Sequence, residues 1–143
     1  MFIGEYTISM DAKGRIAVPA KFRTSLNANA VVTRGLDKSL FLYTKAEWET
    51  IATKLAALPL SKANSRAFAR LMLAGAYDTE LDKQGRIMIP EYLRKFGSLK
   101  KKVVVAGLYS RIEIWDYDAW QEYKASTERD STAIAEGLGE LGV

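Results

Sequence analysis

Two short segments of the chain share a spacing of aspartate, glycine and arginine that suits the binding of an anion. Residues 11–15 read DAKGR and residues 82–86 read DKQGR, so an arginine follows each glycine directly. The arginine guanidinium is planar, always charged and rich in N–H donors, which fits phosphate oxygens or the O6 and N7 atoms of guanine. Each segment also contains a lysine. The candidate anion-binding residues are therefore Lys13, Arg15, Lys83 and Arg86.

The aspartates and glycines of the two segments are predicted to form the turn itself. An aspartate at the first position of a turn accepts hydrogen bonds from backbone N–H groups further on, and glycine adopts a positive φ at little cost. Asp11, Gly14, Asp82 and Gly85 are therefore interpreted as turn-forming residues. A turn of this kind requires no cation after its glycine. Each arginine is thus either a ligand-binding residue or a charge held in solvent or in a surface ion pair.

The absence of two residue types excludes whole classes of chemistry. The chain contains no cysteine and no histidine. This excludes disulfides, thiolate nucleophiles, cysteine-based zinc sites and Ser-His or Cys-His catalysis. We therefore expect no enzymatic activity, no cofactor and no metal. The remaining enzymatic alternative is self-processing at Gly97-Ser98, but Gly97 is better explained as the residue that ends a helix.

Charge is distributed unevenly along the chain, whose net charge is +4. Residues 1–102 contain 18 Lys and Arg against 9 Asp and Glu, whereas residues 103–143 contain 3 against 8. A basic body favours nucleic acid as the partner, and an acidic protein is the alternative. No apolar run approaches the length of a membrane span, and the start lacks the regions of a signal peptide. We therefore expect a cytoplasmic protein with no membrane partner.

The two segments belong to a longer internal repeat. Residues 11–23 match residues 82–94 at an offset of 71, and the offset becomes 72 where Gly35 matches Gly107. Each copy is predicted to contain a strand, the turn, a second strand, a short helix after a proline, a hairpin and another helix. The chain is therefore expected to be two copies of one unit.

The repeat determines the expected fold and domain organisation. A unit of about 45 residues buries too little surface to be stable alone, so we expect the copies to pack about a pseudo-twofold axis. The fold class is mainly β with flanking helices (α+β), built from two half-barrel repeats. Thr44 and Glu47 predict the N-terminal cap of the helix after the first hairpin. The predicted divisions are a first repeat at 5–47, a helical linker at 48–75, a second repeat at 76–119, and a C-terminal helix with a frayed tail at 120–143.

Other basic residues have simpler explanations. The short helices contain Lys21, Arg23, Arg94 and Lys95, and most of these four are interpreted as part of a solvated helix face. Lys100, Lys101 and Lys102 lead into a strand. There they either protect a sheet edge from aggregation or contact phosphate.

The first segment resembles the core motif of the AbrB/SpoVT class of swapped-hairpin DNA-binding domains. The matching pattern is Asp-x-Lys-Gly-Arg-Ile-x-Val-Pro-x-Lys-Phe-Arg over residues 11–23. Two tandem copies in a chain of 143 residues resemble the MraZ family of transcriptional regulators. Residues 1–6, 33–37 and 111–115 are similar to that family as well. The resemblance covers residues 1 to about 125.

The resemblance implies a repressor that binds double-stranded DNA sequence-specifically. Its expected binding sites are direct repeats in the promoter of the bacterial division and cell-wall gene cluster, which includes its own gene. It also implies a homo-oligomer at the nucleoid, in the form of a closed ring of about eight or more subunits. The family's DNA-contacting arginine corresponds to Arg15, with Lys13 beside it, and to Arg86 in the second copy, with Lys83 as a further cation. Gln84 replaces the lysine of the motif, so the two turns are not expected to contact DNA equally.

Overall fold

The computed structural model describes residues 1–142, so Val143, the last residue of the predicted tail, lies outside it. The strands are β1 (Phe2–Ser9), β2 (Arg15–Ala17), β3 (Asn29–Arg34), β4 (Leu40–Thr44), β5 (Tyr77–Glu80), β6 (Arg86–Met88), β7 (Lys102–Tyr109) and β8 (Ile112–Asp116). The helices are α1 (Ala20–Leu26), α2 (Lys45–Ala56), α3 (Ala63–Ala69), α4 (Glu91–Phe96), α5 (Tyr117–Arg129) and α6 (Ser131–Glu136), with a π-helical turn at Arg70–Ala74 and a 3-10 turn at Gly139–Leu141. Within residues 1–142, no helix has both the length and the apolar character needed to span a membrane.

Local sequence signals explain where the helices begin. Helices α1 and α4 follow Pro19 and Pro90, whose missing N–H costs nothing at a helix start. Helix α2 begins after Thr44, whose hydroxyl accepts a hydrogen bond from the N–H of Glu47 at 3.1 Å. The predicted cap at Thr44 is confirmed. The carboxylate of Asp116 accepts a hydrogen bond in the same way at the start of α5.

The two copies of the repeat exchange strands within one six-stranded antiparallel sheet, whose order is β1-β7-β8-β4-β3-β5. The first strand of each copy pairs with the hairpin of the other copy: β1 lies against β7, and β5 lies against β3. The second strands, β2 and β6, form a separate two-stranded ribbon. The mainly β fold with flanking helices and two half-barrel repeats is therefore confirmed.

A pseudo-twofold axis relates the two copies, as predicted. In the ribbon, Ile16 pairs with Ile87, its equivalent at the offset of 71. In the large sheet, Phe41 pairs with Glu113, its equivalent at the offset of 72. Because two equivalent residues that pair with each other lie on opposite sides of the twofold axis, the axis passes between the members of both pairs.

The alignment of the two hairpins differs from the sequence match. The match of Gly35 with Gly107 predicts an offset of 72 through the whole hairpin. This offset is wrong for the first strand of the hairpin, which is β3 in the first copy and β7 in the second. Ala30 lies opposite Thr44, and Val103 lies opposite the equivalent of Thr44, so Ala30 and Val103 correspond at an offset of 73. The physical reason is a shorter loop, since four residues separate the paired strands in the second hairpin and five in the first.

The main hydrophobic core lies between the large sheet and the ribbon. Phe22 of α1 contacts Phe2 and Tyr6 edge-to-face, with ring centroids 5.4 Å apart in both pairs. Ile16 and Ile87 enter the same core from the ribbon. This packing fixes the ribbon on the sheet and leaves its turns at the surface. A second cluster covers the other face of the sheet and comprises Phe41, Tyr43, Trp48, Ile51, Leu55, Leu58, Phe68, Met72 and Leu73.

Candidate nucleic-acid interface

The β2–β6 ribbon presents its outer face to solvent. Ile16 and Ile87 pair at its centre, and both are buried in the core. Because side chains alternate along a strand, the residues on either side of each isoleucine point outward. The outward pairs are Arg15 opposite Met88 and Ala17 opposite Arg86. The two arginines that the sequence singles out therefore lie on one surface, one from each copy.

The first turn is organised by the carboxylate of Asp11. Its Oδ1 accepts the N–H groups of Lys13 at 3.0 Å and Arg15 at 2.9 Å, and its Oδ2 accepts Nε of Arg15 at 2.7 Å. Gly14 has a φ of 81° and donates its N–H to the carbonyl of Asp11. In the structure, the carboxylate of Asp11 and the N–H of Gly14 therefore take part in the hydrogen bonds of this turn.

The second turn repeats this geometry. Asp82 accepts the N–H groups of Gln84 and Arg86 at 2.9 Å and Nε of Arg86 at 2.8 Å, and Gly85 has a φ of 75°. The backbone N–H of the following arginine is the main cause that lowers the pKa of Asp11 and of Asp82 below the ordinary value of 3.8. Both carboxylates are therefore ionised near neutral pH.

Each arginine both completes its turn and faces outward. The ion pair to the aspartate uses Nε, and no side-chain hydrogen bond within residues 1–142 occupies the Nη atoms of Arg15 or Arg86. The side chains are 31% and 30% exposed, so an external ligand can reach them. Across the axis, Nη1 of Arg86 lies 4.0 Å from Oδ2 of Asp11. The sequence leaves an ion pair and a ligand contact as alternatives, and this geometry allows both.

The helix arginines contact the turn of the opposite copy. A Cβ atom at Gly14 would lie 2.8 Å from Cζ of Arg94, and a Cβ atom at Gly85 would overlap the guanidinium of Arg23. Nε of Arg23 donates to the carbonyl of Val18 at 2.7 Å, whereas the buried Nε of Arg94 has no hydrogen-bond partner among the described residues. The interpretation of Arg23 and Arg94 as a solvated helix face is wrong. Sequence reasoning missed this contact because it depends on the strand exchange.

The excess positive charge of this surface comes from residues around the two ion pairs. Asp11 and Asp82 balance the charges of Arg15 and Arg86. The exposed lysines of the turns, Lys13 and Lys83, and the two helix arginines add four cations. The surface therefore combines outward guanidinium donors with a surrounding positive field, which is the combination that binds a polyanion.

Comparison with known proteins places this chain among relatives of the same length. The family model described as "MraZ protein, putative antitoxin-like" matches it twice, over residues 1–71 and 72–138. A protein of Thermoanaerobacter pseudethanolicus is 47% identical, and proteins of Thermoanaerobacter sp. strain X514 and Caldanaerobacter subterraneus are 46% identical. Each match covers 100% of both chains, and all three proteins are named "Transcriptional regulator MraZ".

One solved structure is also similar, although remotely. The solution structure of PHS018 from Pyrococcus horikoshii is 13% identical, and the match covers 80% of this chain and 88% of that chain with a TM-score of 0.34. A similarity this weak carries no argument about fold or function.

Proposed function

The chain belongs to the MraZ family, and on that premise we propose that it is a DNA-binding transcriptional regulator whose β2–β6 ribbon contacts double-stranded DNA. Its full-length relatives are named transcriptional regulators, and the family is not a family of enzymes. Within this proposal, Arg15 and Arg86 read base edges or phosphates. Lys13 and Lys83 contact phosphates.

One observation carries the proposal: the outward pairing of Arg15 and Arg86 on an exposed two-stranded ribbon. The major groove of B-DNA is wide enough for such a ribbon, and arginine is the side chain that most often reads guanine there. Asp11 and Asp82 hold each guanidinium by Nε and thereby orient its Nη donors. An oriented donor loses less conformational entropy on binding than a free one.

The finer parts of the proposal concern the operator and the assembly. We infer that the chain represses transcription from direct repeats in the promoter of the division and cell-wall gene cluster, including its own gene, and that it does so at the nucleoid in the cytoplasm. The two copies are equivalent but not identical, so each chain has two different lateral faces. Head-to-tail contacts between different faces close into rings and present each ribbon in the same orientation, which matches direct repeats. We propose a closed ring of about eight or more subunits.

DNase I footprinting on the DNA upstream of its own gene tests the operator. We expect protection of several direct repeats by the wild-type protein and loss of protection with Arg15→Ala. A protein that protects no upstream DNA at physiological salt, and instead binds an acidic protein, would contradict the proposal. Light scattering tests the ring, since a twofold dimer would require inverted half-sites.

A further inference from the structure

The two copies share a backbone hydrogen bond beside the candidate interface, but the charges of the side chains around it differ. The N–H of Met10, at the end of β1, donates to the carbonyl of Lys101 at 2.7 Å. At the equivalent place in the other copy, the N–H of Leu81 donates to the carbonyl of Ala28 at 2.9 Å. The two hydrogen bonds establish that Lys101 and Ala28 occupy the same position, in agreement with the offset of 73 in this strand.

The neighbouring residues also differ between the two copies, and each difference makes the first side more positive. Residues 100–102 are three lysines, and their equivalents, residues 27–29, are Asn-Ala-Asn. On the adjacent strand the first copy has Ser9 where the second has Glu80. At these aligned positions, the first side carries three more cations and one fewer carboxylate than the second.

Lys101 lies where it can extend the candidate interface. With Asp11, Ala12 and Arg94 it lines a cleft of about 710 Å³ beside the first turn. Its side chain is exposed and forms no salt bridge within residues 1–142. Its neighbour Lys100 is instead paired with the carboxylate of Asp116 at 3.0 Å. Lys101 is thus the cation of this run whose charge faces the cleft without a carboxylate partner among the described residues.

A second cleft, whose lining shares with the first only the equivalent positions Ser9 and Glu80, is more acidic. It has a volume of about 620 Å³, and its lining includes Asn29, Asp78 and Glu80. Lys45 lies 3.3 Å from the carboxylate of Asp78, which leaves Glu80 outside that pair. A phosphodiester backbone would be attracted to the first cleft and repelled from the second.

We propose that Lys13, Arg94 and Lys101, together named flank 1, bind phosphates of one DNA strand next to the ribbon, and that the equivalent surface of the second copy, with Ala28 in place of Lys101, makes fewer phosphate contacts. A reading head with true twofold symmetry binds a site equally well in both directions. The one-sided phosphate contact removes this equivalence, so flank 1 sets the direction in which a chain lies on its repeat. This inference rests on the proposed function.

The experiment measures operator affinity as a function of salt for the full chain and three variants. Lys101→Gln removes the cation, Lys62→Gln is the control at an exposed lysine remote from the ribbon, and Ala28→Lys adds a cation to the opposite side. Each phosphate contact contributes about 0.9 to the slope of log K against log salt. For Lys101→Gln we expect a slope less steep by about 0.9 per bound chain, and roughly four- to eightfold weaker binding at about 0.1–0.2 M salt.

A pair of duplexes tests the direction. Each contains one repeat and extends beyond it on one side only, with opposite sides in the two duplexes. We expect Lys101→Gln to lose affinity for one of them and to match the wild type on the other, while Ala28→Lys gains affinity for the second duplex. Lys62→Gln should behave as the wild type on both.

Two outcomes would overturn the inference. The first is a wild-type slope for Lys101→Gln, and the second is an equal loss on both duplexes. Thermal melts of each variant establish that the fold is intact. Arg15→Ala separates this inference from the proposed function. If Arg15→Ala loses operator binding while Lys101→Gln binds as the wild type, the role proposed for flank 1 is wrong, but the ribbon still contacts DNA. If Arg15→Ala also binds as the wild type, the proposed function itself fails.

Discussion

Replacement of Gly85 by alanine should lower the free energy of unfolding for two separate reasons. The φ of 75° at this position places an L-residue in the left-handed region, which costs about 1–2 kcal/mol. The new Cβ also overlaps the guanidinium of Arg23, whose Nε donates to the carbonyl of Val18. Displacement of that guanidinium sacrifices a hydrogen bond with a net contribution of about 0.5–1.5 kcal/mol. We therefore expect Gly85→Ala to lower the free energy of unfolding by about 2–3 kcal/mol.

Gly14→Ala should cost at least as much. Its φ is 81°, and its Cβ would lie 2.8 Å from the carbonyl oxygen of Ile89 as well as 2.8 Å from Cζ of Arg94. This backbone oxygen, one residue beyond β6, cannot move aside as a side chain can. The difference between the two glycines thus depends on the kind of atom that each methyl group meets.

Thermal denaturation measures both effects. A loss of 2–3 kcal/mol corresponds to a melting temperature lower by about 5–12 °C in a chain of this size. Gly139→Ala is the control, because its Cβ meets no atom within 4 Å and its φ is not positive. It should stay within about 0.5 kcal/mol of the wild type. The double variant with Arg23→Ala removes the crowding at Gly85, so it should lose less than the sum of the two single changes. A Gly85→Ala protein that melts at or above the wild-type temperature would refute the reasoning.

The remaining predictions concern the turns. Arg15→Ala should abolish specific operator binding in a gel-shift assay with little loss of stability, because an ion pair between solvent-accessible side chains contributes little to folding. Arg15→Lys should bind almost as poorly, since lysine lacks the planar fork. Lys13→Gln should make the slope of log K against log salt less steep by about 0.9 per bound chain. Arg86→Ala should lose less operator affinity than Arg15→Ala. Equal losses of affinity in these two variants would mean that both turns read DNA alike. Asp11 and Asp82 have lower pKa values in the folded protein than the ordinary 3.8, so their ionised carboxylates stabilise the fold fully above pH 3.8. This contribution is lost as the pH falls through the lower folded-state pKa values. When both residues are replaced by Asn, the free energy of unfolding measured with urea between about pH 2 and 6 should depend less steeply on pH.

Local features of the fold were predictable from the sequence because few neighbouring residues determine them. The Asp-x-x-Gly turn depends on one carboxylate and one glycine, and the cap at Thr44 depends on a hydroxyl three residues before an N–H. The internal repeat also indicates the pseudo-twofold axis. The repeat is recognised from identical residues in distant segments, not from the secondary-structure propensity of either segment.

Other features depended on pairings that no local pattern encodes. The contact of Arg23 with Gly85 follows from the exchange of strands, so helix periodicity alone placed Arg23 in solvent. The sequence left a surface ion pair open for Arg15, but it could not identify Asp11 as the partner of Nε. The equivalence of Lys101 with Ala28 needed the observed register, since one residue of loop length changes the alignment.

The exchange of strands also constrains the order in which the chain can fold during its synthesis. Strand β1 pairs with β7, so Phe2 meets Tyr109, and these partners lie about 100 residues apart in the sequence. At a translation rate of about 5–20 residues per second, β1 emerges roughly 5–20 s before its partner. During that interval its edge is unpaired, which exposes the nascent chain to aggregation. We therefore expect a fragment that ends in the linker to lack the partner of β1 and to be less stable than the full chain.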